Sequence, residues 1–198
     1  MLIVGTDPLE VDRLLCRGVL RCPGCDGVLR PWGHARTRRI RGDDDADSAA
    51  VVRVVRPRRS SCSGCGRTHV LISASMLVRR ADGAVVIGAA LVAKAAGAGH
   101  RSIAAALGRP DSTVRGWLRR FTARAHGWRV LFTGLLHALD PLAGPIVACA
   151  SVFADAVEVL GLAAAAAARR FGPRPPWQFA SAACGGLLLG PVPIAAAP

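Results

Sequence analysis

The chain has 198 residues, 26 Lys+Arg against 13 Asp+Glu, and a pI near 11.3, room for one good core or two small units that share packing. Residues 1–129 hold 23 basic and 10 acidic residues and 130–198 hold three of each, so the excess of +13 lies entirely in the first part, and a polyanion, nucleic acid or acidic membrane surface, is expected there. Seven cysteines, an odd number, argue against a disulfide framework.

The opening "MLIVGTDPLEVDRLL" carries Asp7, Glu10 and Asp12 and lacks the basic start and apolar run of a signal peptide, so a cytoplasmic location is expected. "TDP" opens a short helix with Leu9, Leu15, Cys16 and Val19 at helical spacing. Cys16, Cys149 and Cys184 fall in apolar settings and are expected to be buried thiols, with Cys16 as a spare metal ligand.

"CPGCDG" (22–27) and "CSGCGR" (62–67) are turns of the same design. Two residues between a pair of cysteines let a tight turn aim both thiolates at one ion, and two such turns complete a tetrahedron. Pro23 presets one turn, and Gly24, Gly64 and Gly66 relax the backbone. Between them "RTRRIR" (36–41) and "VVRVVR" (51–56) resemble strands flanking the acidic loop Asp43–Asp47, and a hairpin there would bring the turns together. A structural zinc site made by Cys22, Cys25, Cys62 and Cys65 is expected. A thioredoxin-like redox site is the weaker alternative, because neither turn sits between a strand and a helix of a βαβ unit. His34 and His69, on strands just beyond the turns, are expected to be surface or packing residues.

Residues 84–96, "AVVIGAALVAKAA", form an apolar helix, and "HRSIAAALGRPDSTVRGWLRR" (100–120) has the offsets of a helix-turn-helix. Ile103, Leu107, Val114 and Trp117 form the shared core, Ala104 is the close-approach position, and Gly108 ends the first helix. Pro110, Asp111 and Ser112 punctuate the turn, with an Asp or Ser side chain to cap the second helix. Arg109 stands where an apolar residue is usual, so a longer, more exposed turn is expected. Seven arginines against one aspartate between Arg101 and Arg129 suit a helix laid along DNA. Ser112, Thr113, Arg115 and Arg119 are assigned to the groove and Arg101, Arg120 and Arg124 to phosphates. An ordinary pair of core helices with a capped turn would show the same apolar pattern.

In the remainder, residues 129–140 and 145–171 read as helices separated by "PLAGP", the second with Ile146, Phe153, Val157 and Leu160 on one stripe and Ser151, Asp155 and Glu158 on another. That split favours packing on the preceding helices or on a partner over spanning a bilayer. The uncharged stretch from Gln178 onward is broken by glycines, Pro191 and Pro193, so homodimerisation through the C-terminal helices is preferred to membrane insertion.

"RCPGCDGVLRPWGHARTRRIR", "CSGCGRTHVLI" and "GHRSIAAALGRPDSTVRGWLRRF" resemble an uncharacterised bacterial family that joins a transposase-type zinc ribbon to a helix-turn-helix, over roughly residues 15–125. The resemblance implies binding of duplex DNA, with the four cysteines of the two turns as zinc ligands. It implies no catalysis: a transposase also needs a ribonuclease-H-like domain with three metal-binding carboxylates, and after residue 129 only Asp140, Asp155 and Glu158 remain. The expected architecture is α+β, with a small N-terminal β zinc ribbon and short helix (1–80), a trihelical helix-turn-helix (81–129) and a C-terminal helical tail (130–198). The expected protein is a non-enzymatic, transposase-derived or transposase-associated DNA-binding protein with no small-molecule substrate. A non-catalytic transposase or nuclease fragment, a membrane-associated helical protein and an RNA binder are the alternatives.

Overall fold

The computed structural model describes residues 1–42 and 51–190; the acidic loop Asp43–Asp47 and the last prolines lie outside them. The fold is α+β. Strands β1 (Leu2–Val4), β2 (Leu29–His34), β3 (Arg38–Arg41), β4 (Val52–Val55), β5 (Arg58–Cys62) and β6 (Thr68–Ser73) come first, with α1 (Pro8–Cys16) between β1 and β2. Six helices follow: α2 (Ala84–Ala95), α3 (His100–Leu107), α4 (Asp111–Thr122), α5 (Ala125–Leu139), α6 (Val152–Phe171) and α7 (Pro176–Ala183).

One sheet has the order β1-β6-β5-β2. Its β5 pairs antiparallel with both β2 and β6, whereas β1 runs parallel to β6 with Leu2 beside Leu71. The strands expected on either side of the acidic loop pair as a separate antiparallel ribbon, Arg38 opposite Val55 and Arg41 opposite Val52. Asp7 caps α1 by accepting the Leu9 N–H at 2.9 Å, and Pro8 occupies its first turn. Val11 and Leu15 on α1 close a small core with Cys22, Leu29, Cys62 and Leu71. Cys16, on the opposite side of that helix, is exposed, and so is Cys149; of the three thiols expected to be buried, only Cys184 is. Of the residues grouped with Cys16 by helical spacing, Leu15 is buried while Leu9 and Val19 are exposed, and Cys16 lies with the exposed ones.

Helix α2 is apolar and mostly buried through Leu91, with Val92 and Lys94 exposed in its last turn, and it touches α3, α4, α6 and α7. Its Gly88 is a close-approach point, since a β-carbon there would collide with the indole of Trp177 on α7. One continuous core runs from Leu77 through α2–α7 to Leu189, with Phe121 of α4 edge-on to Phe153 of α6 at 4.9 Å. The alanine-rich run supplies more than helix propensity: Ala163, Ala164, Ala166 and Ala167 are buried, and their small side chains let α6 approach its neighbours. The expected helix 145–171 starts late. Ser151 caps it by accepting the Ala154 N–H at 3.2 Å, and Asp155 turns back to accept the Cys149 N–H at 2.6 Å, holding residues before Val152 out of the helix. Asp155 is therefore buried at the helix start, where it also meets Arg129. The buried faces of α5, α6 and α7 are spent inside this chain. Among the described residues, no helix is long and apolar enough to cross a membrane.

The segment between β6 and α2 fastens the two halves together. The Ser181 hydroxyl of α7 donates to the Met76 carbonyl at 2.7 Å, and the Val78 N–H donates to the Gly186 carbonyl at 2.9 Å. Gly42, at the end of β3, lies so close to Val86 of α2 that a β-carbon would overlap it.

Candidate metal centre and nucleic-acid interface

The two cysteine turns are one hydrogen-bonded unit built twice. In the first, the Cys22 N–H donates to the Gly27 carbonyl at 2.9 Å and the Asp26 N–H to the Cys22 carbonyl at 2.9 Å. In the second, the Cys62 N–H donates to the Arg67 carbonyl at 2.9 Å and the Gly66 N–H to the Cys62 carbonyl at 3.0 Å. Asp26 and Gly66 occupy the same place after the second cysteine, and both adopt the left-handed conformation, at φ 57° and 71°. Gly27 is where the turns meet. A β-carbon there would stand 2.8 Å from the Cys62 sulfur and 3.1 Å from the Gly64 nitrogen, so only glycine lets the two loops close on each other.

The result is a group of four sulfurs, from Cys22, Cys25, Cys62 and Cys65, all within 4.8 Å of one another. Cys22 and Cys65 are 3.8 Å apart and Cys25 and Cys62 are 3.4 Å apart. Zinc–thiolate bonds of about 2.3 Å in a tetrahedron require sulfur separations of about 3.8 Å, so the cluster can hold a metal ion of that kind with little adjustment. The peptide environment favours thiolate at Cys62 but not at Cys25, where the Gly27 N–H is outweighed by the neighbouring Cys62 and Cys65 sulfurs and the thiol is pushed up to about 12. The Cys65 N–H, opposed by burial and aided by the Gly64 N–H, brings the Cys62 thiol down to about 6. His69 is packed, as expected, but against the cluster: its Nε2 lies 3.4 Å from the Cys22 sulfur, and burial holds the imidazole below its ordinary range. A neutral ring protonated at Nε2 can donate to that sulfur and orient it. His34 lies away from the sulfurs, beside Arg58 at 3.2 Å.

In the helix-turn-helix, α3 ends on Gly108 at φ 60° and ψ 40°, and the Arg109 N–H closes the turn on the Ala104 carbonyl at 2.9 Å. Ile103, Ala104, Val114 and Trp117 are buried where the offsets placed them, joined by Leu118 and Phe121, with Leu107 half-buried alongside. The cap differs from expectation. Pro110 holds the N-cap position and makes no side-chain bond, while Asp111 opens the helix, where its carboxylate faces the positive end of the dipole.

The residues expected to meet DNA separate into two groups. Arg101, Ser112, Arg115 and Arg119 are exposed, the last two one turn apart on α4. Thr113, Arg120 and Arg124 are half-buried, Arg120 with its guanidinium returned to the Gly116 carbonyl at 3.1 Å and Arg124 reaching the Arg120 carbonyl at 3.4 Å.

The turn is exposed at Gly108, Pro110 and Asp111, but Arg109 itself turns inward. Its side chain is 6% exposed and its Nε lies 2.6 Å from Asp82, itself 4% exposed. The other oxygen of Asp82 takes Arg41 of β3 at 3.0 Å, and Arg41 bonds the same segment by backbone, its N–H to Ala81 and its carbonyl from Gly83. One carboxylate thus joins the ribbon to the helix-turn-helix turn. Sequence reasoning passed over Asp82, although it is the single acid between residues 51 and 110, a signal that it serves basic neighbours.

Neither a curated protein nor a solved structure matches the chain. A family model described as a homeodomain-like domain, of the helix-turn-helix type, matches residues 87–129, which takes in most of α2, all of α3 and α4, and the first turn of α5. The segment in which geometry and sequence both place a helix-turn-helix is therefore similar to a domain type that points to DNA binding.

Proposed function

We propose that the protein is a zinc-stabilised, non-catalytic DNA-binding protein that reads duplex DNA with α4 in the major groove. The carrying observation is the division of α4: Val114, Trp117, Leu118 and Phe121 are buried, while Arg115 and Arg119 are exposed with Ser112 at the helix start. Helix starts and arginine forks are the parts that reach base edges, with Thr113 at the groove margin and Arg101, Arg120 and Arg124 assigned to phosphates. Zinc bound by Cys22, Cys25, Cys62 and Cys65 would replace the core that the ribbon lacks.

The resemblance of the ribbon and helical reader to transposase N-terminal regions supports a mobile-element origin, as a transposase-associated or regulatory protein working in the cytoplasm. A homodimer would have to use the outer faces of α5–α7, because their inner faces are occupied.

The test is fluorescence anisotropy of labelled duplex DNA across a salt series, with duplex RNA as competitor. The Arg115→Ala/Arg119→Ala variant is expected to bind more weakly and to shallow the salt slope by about one to two units. Absence of salt-dependent duplex binding by the zinc-loaded protein would sink the reading.

A further inference from the structure

The β3–β4 ribbon has two faces of opposite kind. On one, Ile40 is buried with Ile72 and Met76, Val55 packs against them, and Arg53 donates to the Ser75 hydroxyl at 2.7 Å. Alternation along the strands sends Arg39, opposite Val54, and Arg41, opposite Val52, to the other face. That face stays in water: Val54 is 63% exposed and Val52 42%, with exposed Arg39 beside them and exposed Arg56 two residues past Val54. Among the described residues, no acid pairs with Arg39 or Arg56.

The outward face begins at the start of α4. Arg41 reaches one oxygen of Asp82 at 3.0 Å, and Arg109, the residue before the N-cap of α4, takes the other at 2.6 Å. A backbone seam holds the same joint, with the Arg41 N–H donating to the Ala81 carbonyl at 2.8 Å and the Gly83 N–H to the Arg41 carbonyl at 2.9 Å. Arg39 lies two residues along β3 from this joint, about 7 Å at a strand rise of about 3.4 Å per residue, and Ser112 lies three residues beyond Arg109. A duplex held against α4 therefore has the ribbon's outward face beside it. Two guanidiniums without an acid, set around two exposed valines, suit a nucleic-acid backbone, whose phosphate oxygens take the arginine forks while its sugar carbons lie on the apolar side chains.

We propose that Arg39, Arg56, Val52 and Val54 form a second DNA-binding surface, which lies on the backbone of the duplex that α4 reads, on the side where that helix starts. The inference rests on the reading of α4 as the DNA-facing helix. It gives the β3–β4 ribbon a part in binding beyond its place in the fold, one that fixes the position of α4 along the groove without reading sequence.

The experiment compares four proteins in the same salt series, on two labelled duplexes of unrelated sequence: wild type, Arg39→Met/Arg56→Met, Arg115→Ala/Arg119→Ala, and Arg170→Met/Arg174→Met, which removes the same charge from exposed sites around Phe171. Methionine keeps the apolar stem and removes the charge. Arg39→Met/Arg56→Met is expected to shallow the slope by about two units, with a similar fold loss on both duplexes and an unchanged thermal midpoint, while Arg170→Met/Arg174→Met keeps the wild-type slope. In parallel, benzoylphenylalanine replacing Val54 should photocrosslink to the duplex, and the same group replacing Val147, which is 82% exposed, should not. An unchanged slope for Arg39→Met/Arg56→Met, or no crosslink from position 54, while the α4 variant loses its slope overturns the inference and leaves the α4 reading in place. An equal loss of slope in Arg170→Met/Arg174→Met also overturns it, because the effect would then be one of net charge alone. Preferential crosslinking of position 54 to duplex RNA overturns it in favour of an RNA surface. No salt-dependent duplex binding by any of the four proteins overturns both.

Discussion

The ribbon and the helical part reach stability by different means. The ribbon half has two small clusters, six buried residues that include Cys22 and Cys62, and three more, Ile40, Ile72 and Met76, so it buries far less apolar surface than the helices do. The helical part has a core from Leu77 to Leu189 centred on Phe121, Trp128 and Phe132, all without exposure to solvent. Four clustered thiols stand in one half where aromatic packing stands in the other, and Asp82 is one of the points where the two are tied. A perturbation should therefore declare which half it belongs to.

The largest effect is expected from the metal. Cys25→Ser, or chelation of wild type, should remove bound metal and expose the amides of β2 and β5 to exchange while α5 and α6 stay protected, a loss on the order of 10 kcal/mol for the ribbon. Metal analysis with hydrogen exchange reads both halves together, and unaltered protection in β5 would erase the contrast. Next is Asp82→Asn, which withdraws the carboxylate from the buried Arg109 guanidinium at about 3–5 kcal/mol. Calorimetry should show the single transition dividing into two as ribbon and helices uncouple; one transition at an unchanged midpoint would show that the tie carries no weight.

Gly88→Ala should cost about 1–3 kcal/mol by forcing Trp177 off α2, a loss confined to the helical transition and visible as increased indole accessibility to quencher. The smallest effect at neutral pH concerns Cys184, whose thiol burial pushes up to about 12 from 9.0. The unfolded chain gives up this proton near 9 and the folded one keeps it, so the contribution is complete below about 9 and disappears as pH rises to about 12. The fall in denaturant midpoint from pH 8 to pH 10 should be smaller for Cys184→Ala than for wild type.

What could be read from the chain was whatever depends on short spacing. Two residues between cysteines, the strands flanking the acidic loop, and the offsets of Ala104, Gly108, Val114 and Trp117 are local, and the structure keeps them. What could not be read depends on partners remote in sequence. Gly88 looks like an ordinary glycine in an apolar helix until Trp177 arrives on it, and Arg109 looks like a surface residue until Asp82 takes its charge inside. The parallel pairing of β1 with β6 and the late start of α6, fixed by Asp155 reaching back to Cys149, are tertiary decisions of the same kind. The role of Gly27 was visible only as a turn residue, because its demand for space comes from the other turn.

The seam at Gly186 sets an order of events. A β-carbon at Gly186 would stand 2.8 Å from the side chain of Ile3, so a strand at one end of the described chain meets the loop after α7 at the other. Closing so long a loop is entropically costly and slow, and during synthesis it must wait until the whole intervening chain has left the ribosome. At about 5–20 residues per second, the stretch from β6 to this loop takes roughly 5–20 s to make. Through that interval both cysteine turns are already made while the helical cap is missing, so the four thiols are able to come together before the two halves dock.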